Sequence, residues 1–200
     1  MSRLPVVMAL TGASGAPYGL RLLQVLAKAG TPVWLIVSAH GWRLLAEECG
    51  IGSAEELQSE VGKAWKSVEL FSDGDRGARP ASGSARTAGM VICPCSMATL
   101  AGVATGNSRS LIERAADVVL KERRPLILVP REAPLSLVHL RNMVAVTEAG
   151  ATVLPASPGF YQRPKVVADL VDFVVQRIVD HLGVEAELVQ RWSGKAPRQR

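Results

Sequence analysis

Five apolar runs in the sequence each end in residues that could bind an anion or move a proton. These ends are Thr11–Gly15, Ser38, Cys93–Thr99, Arg131 with Glu132, and Pro155–Tyr161. If the runs are parallel strands, their carboxyl ends meet at one edge of a sheet, which is where open α/β sheets bind ligands. The sequence therefore predicts a binding crevice whose residues are far apart in the chain.

The first of these ends follows an apolar run that starts at Val6 and breaks into Thr-Gly-Ala-Ser-Gly-Ala. The glycines are spaced G-x-x-G-x-x-x-G, which matches neither the dinucleotide pattern nor the Walker pattern. Pro17 suits the first turn of a helix, and backbone amides at a helix N-terminus attract anions. The turn predicts an anion pocket for a single phosphate, as in a mononucleotide. Nearby hydroxyls would come from Ser14, Ser38, Ser96 and Thr99.

Positive charge for a second anion could come from Arg114, Lys121, Arg131 and Arg177. Arg114 and Lys121 are seven residues apart on one predicted helix, so they share a face, although solvated ion pairs with nearby acids explain them equally well. Arg177 lies beside an apolar stripe, where snorkelling accounts for it about as well as a ligand does.

The segment Val-Pro-Arg-Glu-Ala-Pro, residues 129–134, places a cation beside a carboxylate after an apolar run. Arg131 could bind an anion and Glu132 could transfer a proton, and a simple salt bridge is the alternative. Tyr161 is either a packed aromatic or a phenol donor. The three histidines and three cysteines have no metal-ligand spacing, so we expect no metal site and reduced, core-type thiols.

The elements that must position these residues alternate between strand and helix. Strands are predicted over 6–10, 32–37, 90–93, 126–129 and 151–154. Helices are predicted from Pro17 to Gly30, over 41–49, from Ser53, and over 96–105, 110–122, 136–149 and 164–182, with the longest loop at 72–84. This alternation predicts a three-layer α/β/α fold, Rossmann-like, with a mostly parallel central sheet.

The composition bounds the class of protein. Two hundred residues with 48% hydrophobic and 20% charged content indicate one globular domain, which we expect over residues 1–190. Residues 191–200 form a basic tail that holds four of the positive charges behind the net charge of +5, so nucleic-acid binding is not expected. We see no signal-type or membrane-spanning run, and we expect a cytoplasmic protein.

The motifs together resemble the UbiX-type flavin prenyltransferases over nearly the whole chain. The matching blocks are Thr-Gly-Ala-Ser-Gly-Ala at 11–16, Pro-Ala-Ser-Gly-Ser at 80–84, Val-Ile-Cys-Pro-Cys-Ser at 91–96, Leu-Ile-Glu-Arg-Ala-Ala-Asp-Val at 111–118, Val-Pro-Arg-Glu-Ala-Pro at 129–134 and Pro-Gly-Phe-Tyr at 158–161. The resemblance implies a flavodoxin-like FMN-binding flavoprotein. It also implies a homo-oligomer, commonly a dodecamer, that binds FMN between subunits.

The activity implied by the resemblance is transfer of a dimethylallyl group from dimethylallyl monophosphate to N5 and C6 of reduced FMN, without a metal. The product, prenylated FMN, would serve a UbiD-type decarboxylase. The residues implied to contact FMN are Gly12, Ala13, Ser14, Ser38, Ser96, Met97, Ala98, Thr99 and Arg131. Those implied to surround the prenyl phosphate, partly across a subunit boundary, are Arg114, Lys121, Glu132, Tyr161 and Arg177. The implied catalytic residues are Ser14, Glu48, Lys121 and Glu132.

Several alternatives stay open at this point. The base that removes the proton from C6 is either Glu132 or the departing phosphate. An FMN-dependent decarboxylase of the same superfamily is a second function, although the P-x-M-N-x-x-M-W block typical of those enzymes is absent. A non-enzymatic flavin carrier is a third, and it would need the Ser14 pocket but not Lys121, Glu132 or Arg177.

Overall fold

A computed structural model describes residues 3–191, and it contains one sheet of six parallel strands. The strands are β1 (Val6–Leu10), β2 (Val33–Val37), β3 (Val68–Ser72), β4 (Gly89–Cys95), β5 (Leu126–Pro130) and β6 (Thr152–Val153). Their order across the sheet is β3-β2-β1-β4-β5-β6. This is the strand order of the Rossmann sheet, in which the winding direction reverses between the first and fourth strands. The ends of β1 and β4 therefore define the expected ligand crevice.

Seven helices cover the sheet within the described range. They are α1 (Ala16–Lys28), α2 (Ala39–Cys49), α3 (Ala54–Val61), α4 (Met97–Ala104), α5 (Leu111–Lys121), α6 (Leu137–Glu148) and α7 (Val167–Leu182). Helices α1, α2, α3 and α7 pack into one core with Val6, Met8 and Leu10 of β1. Helices α4, α5 and α6 pack into the other core with Val7 and Ala9. Because successive strand residues face opposite sides of a sheet, one buried strand supplies both cores, and the three-layer prediction is confirmed.

Serine hydroxyls begin most of these helices as the sequence predicts. Ser53, Ser110 and Ser136 each accept a hydrogen bond from the amide three residues later. Such a bond satisfies an amide that has no partner inside the helix. Ser38 and Ser96, which the sequence treats as ligand-binding hydroxyls, also cap helices, and this affects the site described below.

One strand, β3, was not predicted. Its sequence, Val-Glu-Leu-Phe-Ser, mixes apolar and polar side chains, and the strand lies half exposed at the edge of the sheet. The guanidinium of Arg79, from the loop after β3, lies 5.0 Å from the ring centre of Trp34 and 5.7 Å from that of Phe71. Arg79 also forms an ion pair with Glu69. Arg79 therefore packs on the face of the sheet formed by β2 and β3, through cation–π contacts and an ion pair.

No helix within residues 3–191 is long and apolar enough to cross a membrane. The basic tail expected at 191–200 lies outside the described residues except for Arg191.

Candidate functional site

Thr11 joins the ends of β1 and β4 at the point where the sheet reverses. The Thr11 backbone amide and hydroxyl both donate to the carbonyl oxygen of Pro94, at 3.1 and 3.0 Å. The same hydroxyl accepts a bond of 2.7 Å from the amide of Ser96. Thr11 is buried, so these bonds replace the water that its polar groups lose. They fix the turn after β1 against the start of α4.

Gly12 allows the turn to lie directly against α2. A Cβ atom at position 12 would lie 2.5 Å from the Cβ of His40, which is closer than real Cβ atoms approach. Gly15 adopts a φ of 124°, which is unfavourable for other residues. The glycine spacing in the sequence therefore reflects close packing and one unusual backbone angle, in addition to any ligand contact.

The amides at the start of α1 are bound by a carboxylate of the protein itself. Oε2 of Glu48 accepts hydrogen bonds of 2.8 Å from the Gly15 amide and 2.7 Å from the Ala16 amide. Glu48 therefore occupies these amides in this structure, and the phosphate contact that the sequence predicts at this turn stays a prediction. Glu48 comes from the last turn of α2, more than thirty residues away, and no spacing in the sequence indicates the contact.

The electrostatic surroundings of Glu48 favour its ionised form. Partial burial alone would raise the pKa of the carboxyl, but hydrogen bonds from the Ser14 hydroxyl and from the Gly15 and Ala16 amides act in the opposite direction. The positive charge of Arg131 adds to their effect, and the pKa of Glu48 lies below its ordinary value. Ser14 and Glu48, both predicted as catalytic, thus form one hydrogen-bonded pair at the mouth of the crevice.

Arg131 connects the segment after β5 to the turn after β1. Its Nε donates to the carbonyl oxygen of Ser14 at 2.9 Å, across 117 residues of sequence. Glu132 follows it, exposed, with Oε1 accepting from the Ala133 amide at 3.0 Å. The predicted cation therefore contacts the Ser14 turn, and Arg131 makes no salt bridge to Glu132 among the ion pairs of the described residues.

The Ser96–Thr99 segment forms the first turn of α4. The Ser96 hydroxyl lies 3.0 Å from the Thr99 hydroxyl and accepts from the Thr99 amide at 3.2 Å. Met97 has its side chain in the core, whereas Ala98 is exposed. Helix geometry leaves the first amides of such a turn without intrahelical acceptors.

Each remaining predicted phosphate-binding cation has an acidic residue close to it in the same stretch of chain. Arg114 lies 2.8 Å from Asp117, Lys121 lies 2.7 Å from Glu122, and Arg177 lies 3.7 Å from Asp180. The three basic side chains are 40%, 50% and 57% exposed. A hydrogen bond from Lys121, with its positive charge, lowers the pKa of the Glu122 carboxyl.

Lys121 lies on the opposite side of the subunit from the Ser14 turn. Helix α5 starts at the carboxyl edge of the sheet, where the Leu111 amide donates to the carbonyl of Asp73 just after β3. It ends before β5, which begins at the amino edge. Lys121 there faces the loop before β4, since a Cβ at Gly83 would lie 2.9 Å from its Nζ. One subunit therefore does not bring Lys121 to Ser14.

Arg177 and Tyr161 lie along α7. Arg21 of α1 pairs with Asp172 through bonds of 2.6 and 3.1 Å, so α1 and α7 run side by side from the carboxyl edge. Arg177 is ten residues into α7, about 15 Å from its start. Tyr161, half exposed, packs edge-to-face on Phe173 with ring centres 5.6 Å apart. The predicted packing role of Tyr161 is thus present, and it leaves the phenol ring partly exposed.

Exposed apolar side chains are concentrated on α6 and in the segments before α6 and α7. They are Leu135, Leu137, Val138, Leu140, Val144, Phe160, Val166 and Val167. Helix α6 buries only Val146 in its own subunit. Exposed apolar patches of this kind usually mark protein–protein interfaces.

The thiols and acidic groups show no feature of a metal site. Cys93 and Cys95 are buried and reduced, and burial raises the pKa of both thiols. Residues 3–191 contain no group of three or more His, Cys, Asp or Glu side chains that could hold a metal ion.

Comparisons with known proteins agree with this fold. A family model described as Flavoprotein matches residues 1–179. The flavin prenyltransferase UbiX of Pseudomonas aeruginosa is 48% identical over 94% of this chain and 93% of its own, and that of Halalkalibacterium halodurans is 48% identical over 92% and 90%. A UbiX crystal structure in complex with FMN and dimethylallyl pyrophosphate superposes with a TM-score of 0.89 at 37% identity, covering 96% of this chain and 99% of that one. A dodecameric FMN-dependent UbiX-like decarboxylase from Escherichia coli has a TM-score of 0.87 at 40% identity, covering 96% and 100%.

Proposed function

The chain belongs to the flavoprotein family, among the UbiX-type flavin prenyltransferases, and from this premise we propose that it transfers a dimethylallyl group from dimethylallyl monophosphate to N5 and C6 of reduced FMN. The product would be prenylated FMN, supplied to a UbiD-type decarboxylase. One observation supports this proposal most directly. The hydrogen bond from Arg131 to Ser14 brings an arginine to the turn where Ser14 and Glu48 interact, at the reversal point of the sheet.

The residues at this point fit FMN. Ser14, Gly12 and Arg131 are exposed at the crevice, and the first turn of α4 offers amides at Met97 and Ala98 with the hydroxyls of its capping residues. We propose that the FMN phosphate binds at the start of α4 rather than at the start of α1, since Glu48 already binds the α1 amides. The full set of FMN contacts would be Gly12, Ala13, Ser14, Ser38, Ser96, Met97, Ala98, Thr99 and Arg131.

Bound reduced FMN would supply the nucleophilic N5 and C6 atoms. The cationic side chains Arg114, Lys121 and Arg177, with the phenol of Tyr161, would bind the prenyl phosphate and neutralise the charge of the leaving group. Glu132 would accept the C6 proton, for which its exposed position beside Arg131 is suited. The Glu48 carboxylate would hold the Ser14 hydroxyl in place. Both residues would then help to orient the reactants.

We propose that a homo-oligomer completes the site. Lys121 and Ser14 lie at opposite edges of the sheet, so a second subunit would have to bring Lys121 to the flavin. The apolar surface on and around α6 adjoins Glu132 and would be buried in such an assembly. The dodecamer reported for the Escherichia coli relative supports this arrangement.

The decisive experiment is anaerobic incubation of the protein with FMN, a reductant and dimethylallyl monophosphate, followed by mass spectrometry of the extracted flavin. A mass increase of one dimethylallyl group supports the proposal. Unchanged FMN on a protein that has bound flavin refutes the proposal. The remaining hypothesis is then a non-enzymatic flavin carrier. Release of carbon dioxide from a cysteine-type or aromatic carboxylate, without flavin modification, would instead support a decarboxylase.

A further inference from the structure

The carboxylate of Asp180 lies between two arginines, at the C-terminal end of α7. Arg191 binds it closely, with Nη2 2.9 Å from Oδ1 and Nη1 3.3 Å from Oδ2. Arg177 is further away, with Nη1 3.7 Å from Oδ2, which is beyond hydrogen-bond distance. Asp180 therefore forms its main ion pair with Arg191 and interacts with Arg177 only weakly.

The buried side chain of Gln176 binds the segment between α7 and Arg191 to α7. Nε2 of Gln176 donates to Asp180 at 2.9 Å and to the carbonyl of Ala186 at 3.0 Å, and its Oε1 accepts from the Leu188 amide at 2.7 Å. Gln176 is 3% exposed, so these bonds are shielded from water. The position of Arg191 relative to α7 is thus built into the fold.

Asp180 is ionised in this arrangement. Partial burial would raise the pKa of the carboxyl, but hydrogen bonds from Arg191 and Gln176 and the two arginine charges keep it below its ordinary value. An aspartate three residues after an arginine on a helix would normally pair with it. In this subunit Asp180 instead forms its hydrogen bonds with Arg191 and remains 3.7 Å from Arg177.

We infer that Arg191 is a positioning residue, which keeps Arg177 available for the prenyl phosphate by holding Asp180. The inference rests on the proposed function, in which Arg177 binds that phosphate. Without Arg191, the charge of Asp180 is left for Arg177, and the phosphate must displace it. Loss of Arg191 therefore weakens substrate binding, although Arg191 itself touches no substrate, and removal of the Asp180 charge reverses the loss.

The test compares Arg191→Gln, Asp180→Asn, the double variant and Glu185→Gln in the full-length assembled protein. Glu185 is a matched control, since it is exposed on the same segment and lines the same concavity, about 830 Å³ in volume, as Asp180 and Arg191. Steady-state formation of prenylated FMN gives KM for dimethylallyl monophosphate and kcat separately. Calorimetric titration with inorganic phosphate gives binding without turnover.

We expect Arg191→Gln to raise KM about two- to fivefold with kcat unchanged, the range for an exposed ion pair. Asp180→Asn leaves KM at or below the wild-type value, the double variant restores it, and Glu185→Gln changes nothing. A wild-type KM for Arg191→Gln, or a raised KM for Asp180→Asn, overturns the inference. If the wild type and the variants bind inorganic phosphate in this same order of affinity but leave FMN unmodified, only the proposed function is refuted.

Discussion

Replacing Glu48 by glutamine removes the charge that binds the start of α1 while keeping the size of the side chain. The wild-type carboxylate accepts two short amide bonds, from Gly15 and Ala16, at the positive end of the helix. A hydrogen bond to a charged group contributes about 1.5–3 kcal/mol and the helix terminus about 0.3–1 kcal/mol. Because Glu48 is largely exposed and glutamine keeps one acceptor, we expect a loss of about 1 kcal/mol, which lowers the thermal midpoint by about 2–4 °C.

The effect has a defined pH dependence. The pKa of Glu48 is lower in the folded protein than in the unfolded chain, so the carboxylate stabilises the fold fully above the unfolded pKa, about 4.3. That contribution is lost as the pH falls through the lowered folded pKa. The difference in thermal midpoint between wild type and Glu48→Gln should therefore be constant from about pH 6 to 7 and should disappear in acid.

The assay is calorimetry across this pH range, with Glu47→Gln as the control. Glu47 is on the same helix and pairs with exposed Arg43, so its loss costs little. A pH-independent difference for Glu48→Gln, or an equal effect of Glu47→Gln, would show that the Glu48 carboxylate does not stabilise the start of α1.

Three further substitutions test the site. Ser14→Asp places a second carboxylate beside Glu48, so we expect flavin content after purification to fall several-fold; full retention would contradict the crevice assignment. Glu132→Gln should retain FMN but form prenylated FMN at least about tenfold more slowly, measured by single-turnover mass spectrometry, and a wild-type rate would leave the departing phosphate as the base. Gly12→Ala forces a Cβ to within 2.5 Å of His40, so we expect a stability loss of about 1–3 kcal/mol in denaturant titration, and an unchanged midpoint would show that the turn can move.

Local sequence patterns were sufficient for most of the secondary structure. The buried strands read as unbroken apolar runs, and the helices begin at serines whose hydroxyls bind the amide three residues on. Both signals act within a few residues, so they survive without knowledge of the fold. The edge strand β3 was missed because its five half-exposed residues show neither a long apolar run nor a strict alternation of apolar and polar side chains.

The sequence by itself determined which chemical groups are present and that they follow strand ends, because the alternation of strands and helices brings those ends to one edge. It also predicted Arg131 and Glu132 as site residues, and of the two the structure shows Arg131 in contact with the Ser14 turn. Tertiary structure alone decided what binds what. The Glu48 contact joins residues more than thirty positions apart, and it assigns the α1 amides to a carboxylate of the protein. The position of Lys121 is a second example. The spacing of residues on a helix predicts which face they share, but not at which edge of the sheet the helix ends. The direction of α5 places Lys121 at the opposite edge of the sheet from Ser14.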